Sequence, residues 1–486
     1  MKKLKILIAV RTSWHLRDFI ESKLVDQLKK KFELSFFFVD VNLSTEKSIE
    51  EYDVKKYGEI YKYPPNFTKE LKSKNFILRK FKTFKKIFRP KINHFLYFLN
   101  EIQDKINYKK KGAVYKTYEN DGPLSATIIK YLIKFKLDNL VKKILKGFIN
   151  FTIPKMIPRE KNFDLILIAY NSFNVYGYID DLIRDSKRLN IKTFGLQINL
   201  DNLIDRVPLE KTNFFGVWGM QTFTWCVSRH NIPPYKMAIV GTPRLDTMKK
   251  KIVNKENARN YLGLDQDCKL LLFCPSVREH DERFILESIQ NSIKQKKFQH
   301  KIKIFYKNHL NKPNEFTGDN EIIRELSDEF EDVIFYSLFK KKNKSSISTL
   351  EEYSYFYEAC DATISPFSTM SLEGMLLGKP TLLYDYGIDK KNITTLRMDL
   401  IRHRIYHYPI RLSKGSVICN NKKNIINDIK KLLELTEDQS IKDICKQTAS
   451  QAVDYFGKET SAEKIEKCIE NICLNNKLDN SDDIYI

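Results

Sequence analysis

The sequence predicts an α/β protein made of two doubly wound domains. Short apolar segments with strand character alternate with helical segments in two separate parts of the chain, a pattern typical of parallel sheets. The chain has 486 residues, which is too long for one ordinary hydrophobic core. Because 42% of the residues are hydrophobic, it contains enough apolar material for two cores.

The first domain is predicted to comprise residues 1–250. In chain order we expect a strand at 4–10, a helix at 14–28, strands at 34–39 and 164–170, a helix at 175–189, strands at 192–198 and 214–218, a helix from 221 and a strand at 237–240. The segment GTPRLD at 241–246 then interrupts the alternation. We expect the domain boundary shortly after it.

A helical, basic insertion is predicted within the first domain at about residues 65–158. In the segments 77–89 and 128–151, large apolar residues repeat at helical spacing among many lysines. Basic amphipathic helices of this kind commonly lie on anionic membrane surfaces. The alternative is that the apolar stripes pack into the domain while the lysines are solvated.

The second domain is predicted to comprise residues 251–455. Its expected strands are 270–274, 303–306, 333–336, 362–364 and 381–384, with a helix at 353–359 and further helices rich in Lys and Ile from about 422. Residues 456–486 are predicted to form a C-terminal helix and a frayed tail.

One stretch of the second domain, DATISPFSTMSLEGMLLGKP at 361–380, has the pattern of an anion site. After a short strand and a turn, we expect a helix from Ser368 to Leu377 with Gly378 as its C-cap. The N–H groups at such a helix start attract an anion, and phosphate is a natural occupant. Glu373, a turn and a half into the helix, is placed to accept hydrogen bonds from sugar hydroxyls. The alternative is an ordinary cap and a surface glutamate.

Charge and cysteine content indicate the class of partner and the compartment. The chain has 84 Lys and Arg against 61 Asp and Glu, and the net charge of +23 favours nucleic acid, anionic lipid or phosphorylated substrates. The eight cysteines show no CxxC pair and no metal-ligand spacing, which favours reduced thiols. The apolar run near the start is too short for a signal peptide, and no stretch suits a transmembrane helix. We therefore expect a cytoplasmic protein.

Three segments together resemble the GT-B class of glycosyltransferases. VGTPRLD at 240–246 resembles the segment that joins the two domains, FYKNHL at 305–310 resembles a lysine-x-histidine strand end, and 361–380 resembles the donor-binding helix. The resemblance is to bacterial surface-polysaccharide transferases and CDP-glycerol glycerophosphotransferases, and it spans roughly residues 190–385. Leu310 departs from the pattern, because the lysine-x-histidine motif usually continues into proline.

The resemblance implies two Rossmann-like domains facing a cleft, with a nucleotide-activated donor bound by the second. The donor-binding residues that it suggests are Arg278, Lys307, His309, Ser368, Thr369 and Glu373. The cations and the helix-start amides would stabilise the diphosphate charge, and Glu373 would hold the ribose. Neither a metal nor a cofactor is expected. The alternatives are a solvated strand end for Lys307, an ordinary loop histidine for His309, and an arginine paired with its acidic neighbours for Arg278.

Two residues near the start are candidates for catalysis. Inverting transfer needs a base for the acceptor hydroxyl proton, whereas retaining transfer does not. His15, in the segment after the first strand, is the first candidate and Asp18 is the second. Open α/β sheets bind ligands at this carboxyl edge. His15 could equally cap a helix or pack against Trp14.

These observations lead to a hypothesis of a cytoplasmic glycosyltransferase, peripheral on the inner membrane face, that adds a sugar to a glycan or lipid-linked acceptor. The nearest alternative is a CDP-glycerol-type glycerophosphotransferase or polyol-phosphate transferase. A sugar-nucleotide epimerase shares the architecture, and a basic nucleic-acid-binding protein is the alternative of another class. Asp265 and Asp267 have the spacing of a metal motif, but their context is that of a helix ending in a turn.

Overall fold

The computed structural model describes residues 3–39, 43–63, 92, 95–96, 99–100, 128, 131–151, 153–170, 178–200, 202–203, 209–250, 253–275, 283–307, 328–336, 350–366, 368–384 and 407–478. The chain divides into two compact units, Met1–Arg244 with Gly457–Ile486, and Leu245–Phe456. The division falls inside the GTPRLD segment. The C-terminal residues, which the sequence analysis assigned to a separate segment, belong to the first unit.

The first unit contains a seven-stranded parallel sheet with the order β3-β2-β1-β4-β5-β6-β7. Its strands are β1 Lys5–Val10, β2 Glu33–Val39, β3 Glu59–Tyr63, β4 Leu165–Tyr170, β5 Lys192–Gln197, β6 Phe214–Val217 and β7 Met237–Ile239. The predicted parallel sheet is confirmed. Strand β3 was not predicted, because this short edge strand, EIYKY, consists of exposed and partly buried residues and lacks a long apolar run.

The helices of the first unit are α1 Ser13–Glu21, α2 Leu24–Lys31, α3 Leu43–Glu51, α4 Asp138–Phe151, α5 Tyr178–Arg188, α6 Met220–His230 and, at the end of the chain, α15 Ser461–Asn475. The single helix predicted at 14–28 is wrong, because it is two helices. The Ser22 hydroxyl accepts from the Leu24 amide at 3.3 Å, and Lys23 has a left-handed backbone, φ 68°. These two features end α1 and start α2 in a new direction.

Both faces of the first sheet are buried. Ile6 and Ile8 of β1 belong to one apolar cluster, whereas Leu7 and Ala9 belong to the cluster on the opposite face. This alternation follows from the two-residue period of a strand. The C-terminal helix α15 adds Ile469 to the first cluster, so it completes the core of the unit in which the chain begins.

The second unit contains a six-stranded parallel sheet with the order β10-β9-β8-β11-β12-β13. Its strands are β8 Lys269–Phe273, β9 Ile302–Tyr306, β10 Val333–Phe335, β11 Ala362–Ser365, β12 Thr381–Tyr384 and β13 Ser416–Cys419. This is the strand order of a Rossmann-type sheet, and it reverses direction between β8 and β11. Ligands of such sheets bind at the carboxyl ends of the strands beside this reversal. Strand β13 was not predicted.

The remaining helices are α7 Pro243–Lys250, which spans the division between the units, α8 Lys255–Leu262, α9 Arg283–Lys294, α10 Leu350–Ala359, α11 Thr369–Leu376, α12 Tyr408–Leu412, α13 Ile425–Leu435 and α14 Gln439–Ser450. In the part of the chain that the structure describes, no helix is both long enough and apolar enough to cross a membrane.

Helix α11 lies close against β11 because Gly374 has no side chain. A Cβ atom at Gly374 would lie 2.8 Å from Cγ2 of Thr363, a buried residue of β11 whose hydroxyl donates to Thr381 Oγ1 at 2.9 Å. At the end of the helix, Gly378 adopts φ 74°, as expected for the predicted C-cap glycine. The close approach of α11 to β11 therefore depends on the absence of a side chain at Gly374.

This packing predicts that Gly374→Ala lowers the free energy of unfolding by about 1–3 kcal/mol, the usual cost of overpacking. Adding Thr363→Ser should recover most of the loss, because it removes the opposing methyl group and keeps the hydroxyl. Gly147→Ala in α4 is the matched control, since a Cβ there meets nothing within 4 Å. Urea denaturation measures all three, and a Gly374→Ala variant as stable as the Gly147→Ala control would contradict the prediction.

Candidate functional site

The start of α11 lies at the carboxyl end of β11, beside the point where the strand order of the second sheet reverses. The predicted strand and helix are confirmed, with Ser368 as the N-cap residue. The Ser368 side chain makes no cap hydrogen bond, and its hydroxyl instead donates to Ser365 Oγ at 3.3 Å. Ser365 Oγ lies 2.5 Å from Ser371 Oγ and donates to the Pro366 carbonyl at 2.6 Å. The Ser368 hydroxyl therefore does not occupy the first-turn amides, which suit an anion.

Thr369 is the first residue of α11, and both Ser368 and Thr369 are partly exposed. Their accessibility contrasts with that of Ser365 and Ser371, which are fully buried. The helix start therefore presents one accessible side of its first turn and one side that is packed into the unit.

Glu373 is buried beneath this helix start. Its side chain is 1% exposed, and its Oε2 atom accepts a hydrogen bond from the Tyr357 hydroxyl at 2.8 Å. Tyr357 is itself fully buried on α10. The alternative of a surface glutamate is therefore wrong. A buried carboxylate that accepts from the Tyr357 hydroxyl is an oriented acceptor rather than a solubilising group.

Lys307 follows β9 and lies among aromatic rings. Its side chain is 3% exposed, and Nζ lies 4.5 Å from the ring centroid of Tyr336, 5.6 Å from that of Tyr353 and 5.9 Å from that of Phe356. A cation over aromatic faces is attracted by their electron density. The alternative of a solvated strand end is therefore wrong.

Helix α10 supports both of these side chains. Tyr353 and Phe356 contact Lys307, and the next residue, Tyr357, bonds Glu373. The sequence pattern predicts this helix but does not indicate a role for its aromatic residues. The feature of the sequence that could have indicated such a role is the high density of aromatic residues, since four of the five residues from 353 to 357 are aromatic.

Asp361, the first residue of the motif, organises the entry to β11. Its Oδ1 lies 2.5 Å from Lys255 Nζ, and its Oδ2 accepts from Arg259 at 2.9 Å and from the Leu270 amide at 2.8 Å. Arg259 is 1% exposed and also donates to the Ala359 carbonyl at 3.1 Å. The carboxylate thus joins α8, β8 and the end of α10, with its charge fully compensated.

Arg278 and His309 lie outside the described residues. Of the six predicted donor-binding residues, the structure therefore describes Lys307, Ser368, Thr369 and Glu373. All four belong to the second unit, at or near the carboxyl edge of its sheet.

His15 lies in α1, which begins directly after β1 in the first unit. The Thr12 hydroxyl caps this helix by accepting from the His15 amide at 3.3 Å. Burial lowers the pKa of His15 to about 4, the charge of Asp18 raises it, and Arg11 lowers it further. The imidazole is therefore neutral at pH 7. Among the described residues, its Nδ1 atom has no hydrogen-bond partner.

Asp18 lies one turn beyond His15 and accepts from Arg17 Nε at 2.9 Å and from its NH2 group at 2.6 Å. Asp18 also lines a small pocket with Gln197, Thr242 and Arg244. Every lining residue belongs to the first unit. The two predicted catalytic residues are thus neighbours, and one of them lines a pocket.

Asp265 occupies the turn after α8, as the sequence context predicted. Gly263 ends that helix with φ 67°, and the Asp265 carboxylate pairs with Lys301 at 2.7 Å. Among the described residues, no group of His, Cys, Asp and Glu is arranged to hold a metal ion.

The pKa of His15 predicts that acid weakens the fold. An unfolded histidine titrates near 6.5, so between about pH 6.5 and pH 4 the unfolded state binds a proton that the folded state does not. The free energy of unfolding should therefore fall as the pH is lowered through this window, with a contribution from His15 on the order of 3 kcal/mol. Urea denaturation at pH 7, 5.5 and 4.5 should show a smaller loss for His15→Asn than for the wild type.

The matched variant is His230→Asn, because burial lowers the pKa of His230 to about 3. It should reduce the same pH dependence independently, and the double variant should show both reductions. A His15→Asn protein whose stability falls with pH as steeply as that of the wild type would contradict the neutral assignment.

Residues 221–457 match the sequence model of the family described as CDP-Glycerol:Poly(glycerophosphate) glycerophosphotransferase. The matched segment begins in α6 and includes all six strands of the second sheet. The predicted resemblance is confirmed, and the match supports a transferase that uses a nucleotide-activated donor. A search of curated proteins gave no match.

Among solved structures, the chain is similar to a putative UDP-N-acetylglucosamine 2-epimerase from Listeria monocytogenes, with a TM-score of 0.51, 12% identity and 100% of both chains covered. It is also similar to UDP-GlcNAc 2-epimerase from Neisseria meningitidis bound to UDP-GlcNAc, with a TM-score of 0.49 and 11% identity. That similarity covers 96% of this chain and 99% of the epimerase chain. It is also similar to the wall teichoic acid polymerase TagF, with a TM-score of 0.43 and 13% identity. That similarity covers 65% of this chain and 77% of the TagF chain. The first likeness confirms the GT-B fold with two Rossmann-like domains.

Proposed function

We propose that this protein transfers an activated group from a nucleotide donor to a surface polymer, and that the group is glycerol phosphate or a related polyol phosphate carried by CDP. The observation that carries the proposal is the family match over residues 221–457, which includes the start of α11 at the strand-order reversal of the second sheet. The first-turn amides of α11 would bind the donor's diphosphate.

The donor's charge and its ribose would be recognised by different groups. Lys307 and His309 would add positive charge beside the diphosphate, with Arg278 as a third cation. Glu373 would accept hydrogen bonds from the ribose hydroxyls, and the Tyr357 hydroxyl would orient it. Because Glu373 is 1% exposed, this role requires local movement around α11 when the nucleotide enters.

In the proposed reaction an acceptor hydroxyl oxygen attacks the phosphorus that carries the glycerol. A new P–O bond forms to the acceptor, the P–O bond to CMP breaks, and the acceptor proton passes to a base. Negative charge grows on the departing CMP phosphate, where cations and helix-start amides stabilise it.

A second candidate is sugar transfer from a nucleotide sugar. The observation that favours it is the likeness of residues 361–380 to surface-polysaccharide transferases. In this reaction the bond between the sugar carbon and the diphosphate breaks, so a nucleoside diphosphate leaves.

For the base we propose His15 first and Asp18 second. The neutral imidazole of His15 is the form that accepts a proton at pH 7, although burial makes it a weak base. The negative charge of Asp18 raises its basicity. The acceptor would be a glycan or a lipid-linked glycan at the cytoplasmic face of the membrane.

The released nucleotide should distinguish the two candidate reactions. With CDP-glycerol and a polymer acceptor, the first candidate predicts CMP as the product, measured by anion-exchange chromatography. If a nucleotide sugar under the same conditions releases UDP or CDP instead, the second candidate reaction replaces the first. If no nucleotide is consumed with any acceptor, the proposed transferase activity is wrong.

Nucleotide binding should stabilise the second unit. At about 100-fold excess over Kd, ligand linkage predicts a rise in Tm of roughly 5 °C. Glu373→Gln should weaken binding about tenfold, because a charge-assisted hydrogen bond is lost while shape is kept. Tyr357→Phe should weaken it by a smaller factor, since it only positions Glu373.

The matched control is Glu466→Gln, which alters a buried glutamate of the first unit that accepts from Gln27 at 2.6 Å. It should change stability without changing nucleotide affinity. If Glu373→Gln also changes only stability, Glu373 is a packing residue and its assignment to the ribose fails.

A further inference from the structure

The backbone of Lys307 is fixed at the carboxyl edge of the second sheet. Its amide donates to the carbonyl of Phe273 at 2.9 Å, and Phe273 is the last residue of β8. Strand β8 borders the reversal of strand order, where ligands of such sheets bind. On the other side of β9, the parallel register pairs Tyr306 with Phe335 of β10, so Lys307 and Tyr336 come next at adjacent strand ends. The sheet thus brings the lysine and an aromatic residue together at this edge.

Three aromatic rings form a cage at the Lys307 ammonium. Its Nζ atom lies 4.5, 5.6 and 5.9 Å from the ring centroids of Tyr336, Tyr353 and Phe356. The rings also pack on one another. The centroid of Phe356 lies 5.0 Å from that of Tyr336 and 5.7 Å from that of Tyr353, in both cases edge to face. The Lys307 cage, defined by these three residues, is therefore one packed cluster and not three separate contacts.

Tyr336 makes a second contact, which is separate from the cage. Its hydroxyl donates to Oε2 of Glu352 at 2.8 Å, and the two residues are 2% and 7% exposed. Glu352 lies in the first turn of α10, which also carries Tyr353 and Phe356. A charge-assisted hydrogen bond thus joins the end of β10 to α10. The ring of Tyr336 contacts the cation, whereas its hydroxyl stabilises the fold.

The Lys307 cage changes how this lysine can meet an anion. A lysine side chain in solvent samples many rotamers, and fixing it in one place costs conformational entropy. Packing among the rings, which leaves Lys307 3% exposed, restricts that freedom before a ligand arrives. Ring faces attract an ammonium through their quadrupole and carry no net charge, so they hold a cation without cancelling its charge. A cation held in this way is preorganised for an incoming anion.

We propose that Tyr336, Tyr353 and Phe356 are positioning residues that hold the Lys307 ammonium for the diphosphate of the nucleotide donor. This inference rests on the proposed function, because it takes Lys307 as a donor-binding residue. It adds three residues that act on donor affinity through Lys307.

The first measurement needs no nucleotide. Urea denaturation is measured for Lys307→Met, Tyr336→Leu and the double variant. Because the ring and the ammonium contact each other, the shift in urea midpoint of the double variant should differ from the sum of the two single shifts. Tyr355→Leu is the matched control, since it alters a ring of α10 that stacks on Tyr261 at 4.1 Å, and its shift should add to that of Lys307→Met. Additive shifts for Tyr336→Leu as well would overturn the cage.

The second measurement compares CDP with the uncharged nucleoside cytidine, by ligand-observed NMR titration. Lys307→Met should weaken CDP binding at least about tenfold, because it removes a charged partner of the phosphates. Tyr336→Leu should weaken it about fivefold, because the ammonium loses the nearest ring that holds it. Neither variant should change the affinity for cytidine, which has no phosphate for Lys307 to bind.

Tyr336→Phe separates positioning from stability. It keeps the ring and removes the hydrogen bond to Glu352, so it should lower the urea midpoint and keep the CDP affinity of the wild type. Tyr353→Leu is a second cage variant that should disturb the fold less, because Tyr353 is only partly buried. It should weaken CDP binding by a smaller factor than Tyr336→Leu, since its centroid lies farther from Nζ. The control Tyr355→Leu should leave CDP affinity unchanged.

Two results would overturn the positioning role while the proposed function stands. In the first, the wild type binds CDP, but Tyr336→Leu and Tyr336→Phe change its affinity by the same factor. In the second, Tyr336→Leu weakens the binding of CDP and of cytidine equally, which would make Tyr336 a packing residue. If the wild type binds neither CDP nor cytidine although the urea experiments show the ring and the ammonium to be coupled, the proposed function fails, and the donor role of the cage fails with it.

Discussion

The candidate donor site depends on one buried carboxylate, that of Asp361. It accepts from the guanidinium of Arg259 and the amide of Leu270, and it pairs with Lys255, so that α8 and β8 are joined at the base of β11. An unpaired charge at this depth would be costly, and the pairing therefore favours one arrangement of these elements. Since β8 and β11 flank the reversal of strand order, the same interaction helps to position the edge at which a ligand would bind.

Two helices, α10 and α11, position the side chains of the candidate site. Helix α11 starts at the sheet edge and lies close to β11 because Gly374 leaves room for Thr363. Helix α10 supplies aromatic residues on two sides, with Phe356 beside Lys307 and Tyr357 on Glu373. Neighbouring residues of α10 thus contact both the Lys307 cation and the Glu373 carboxylate. A shift of α10 would therefore move both charged groups together.

The two units differ in what they contribute. The second unit carries most of the family match and the anion-binding helix start, whereas the first unit carries His15, Asp18 and the basic helix α4. The family match therefore concerns mainly the second unit.

The sequence alone determined the parallel sheets, most strand positions and the helix after Ser368, because these follow from local periodicity and from glycine and proline signals. It did not reveal the short edge strands β3 and β13, whose residues are mostly only partly buried, or the break between α1 and α2. Only the tertiary structure decided that Glu373 is buried against Tyr357 and that Lys307 lies among aromatic rings. Those environments come from residues distant in the chain, and burial, which sets the charge state of His15, is a property of the assembled unit.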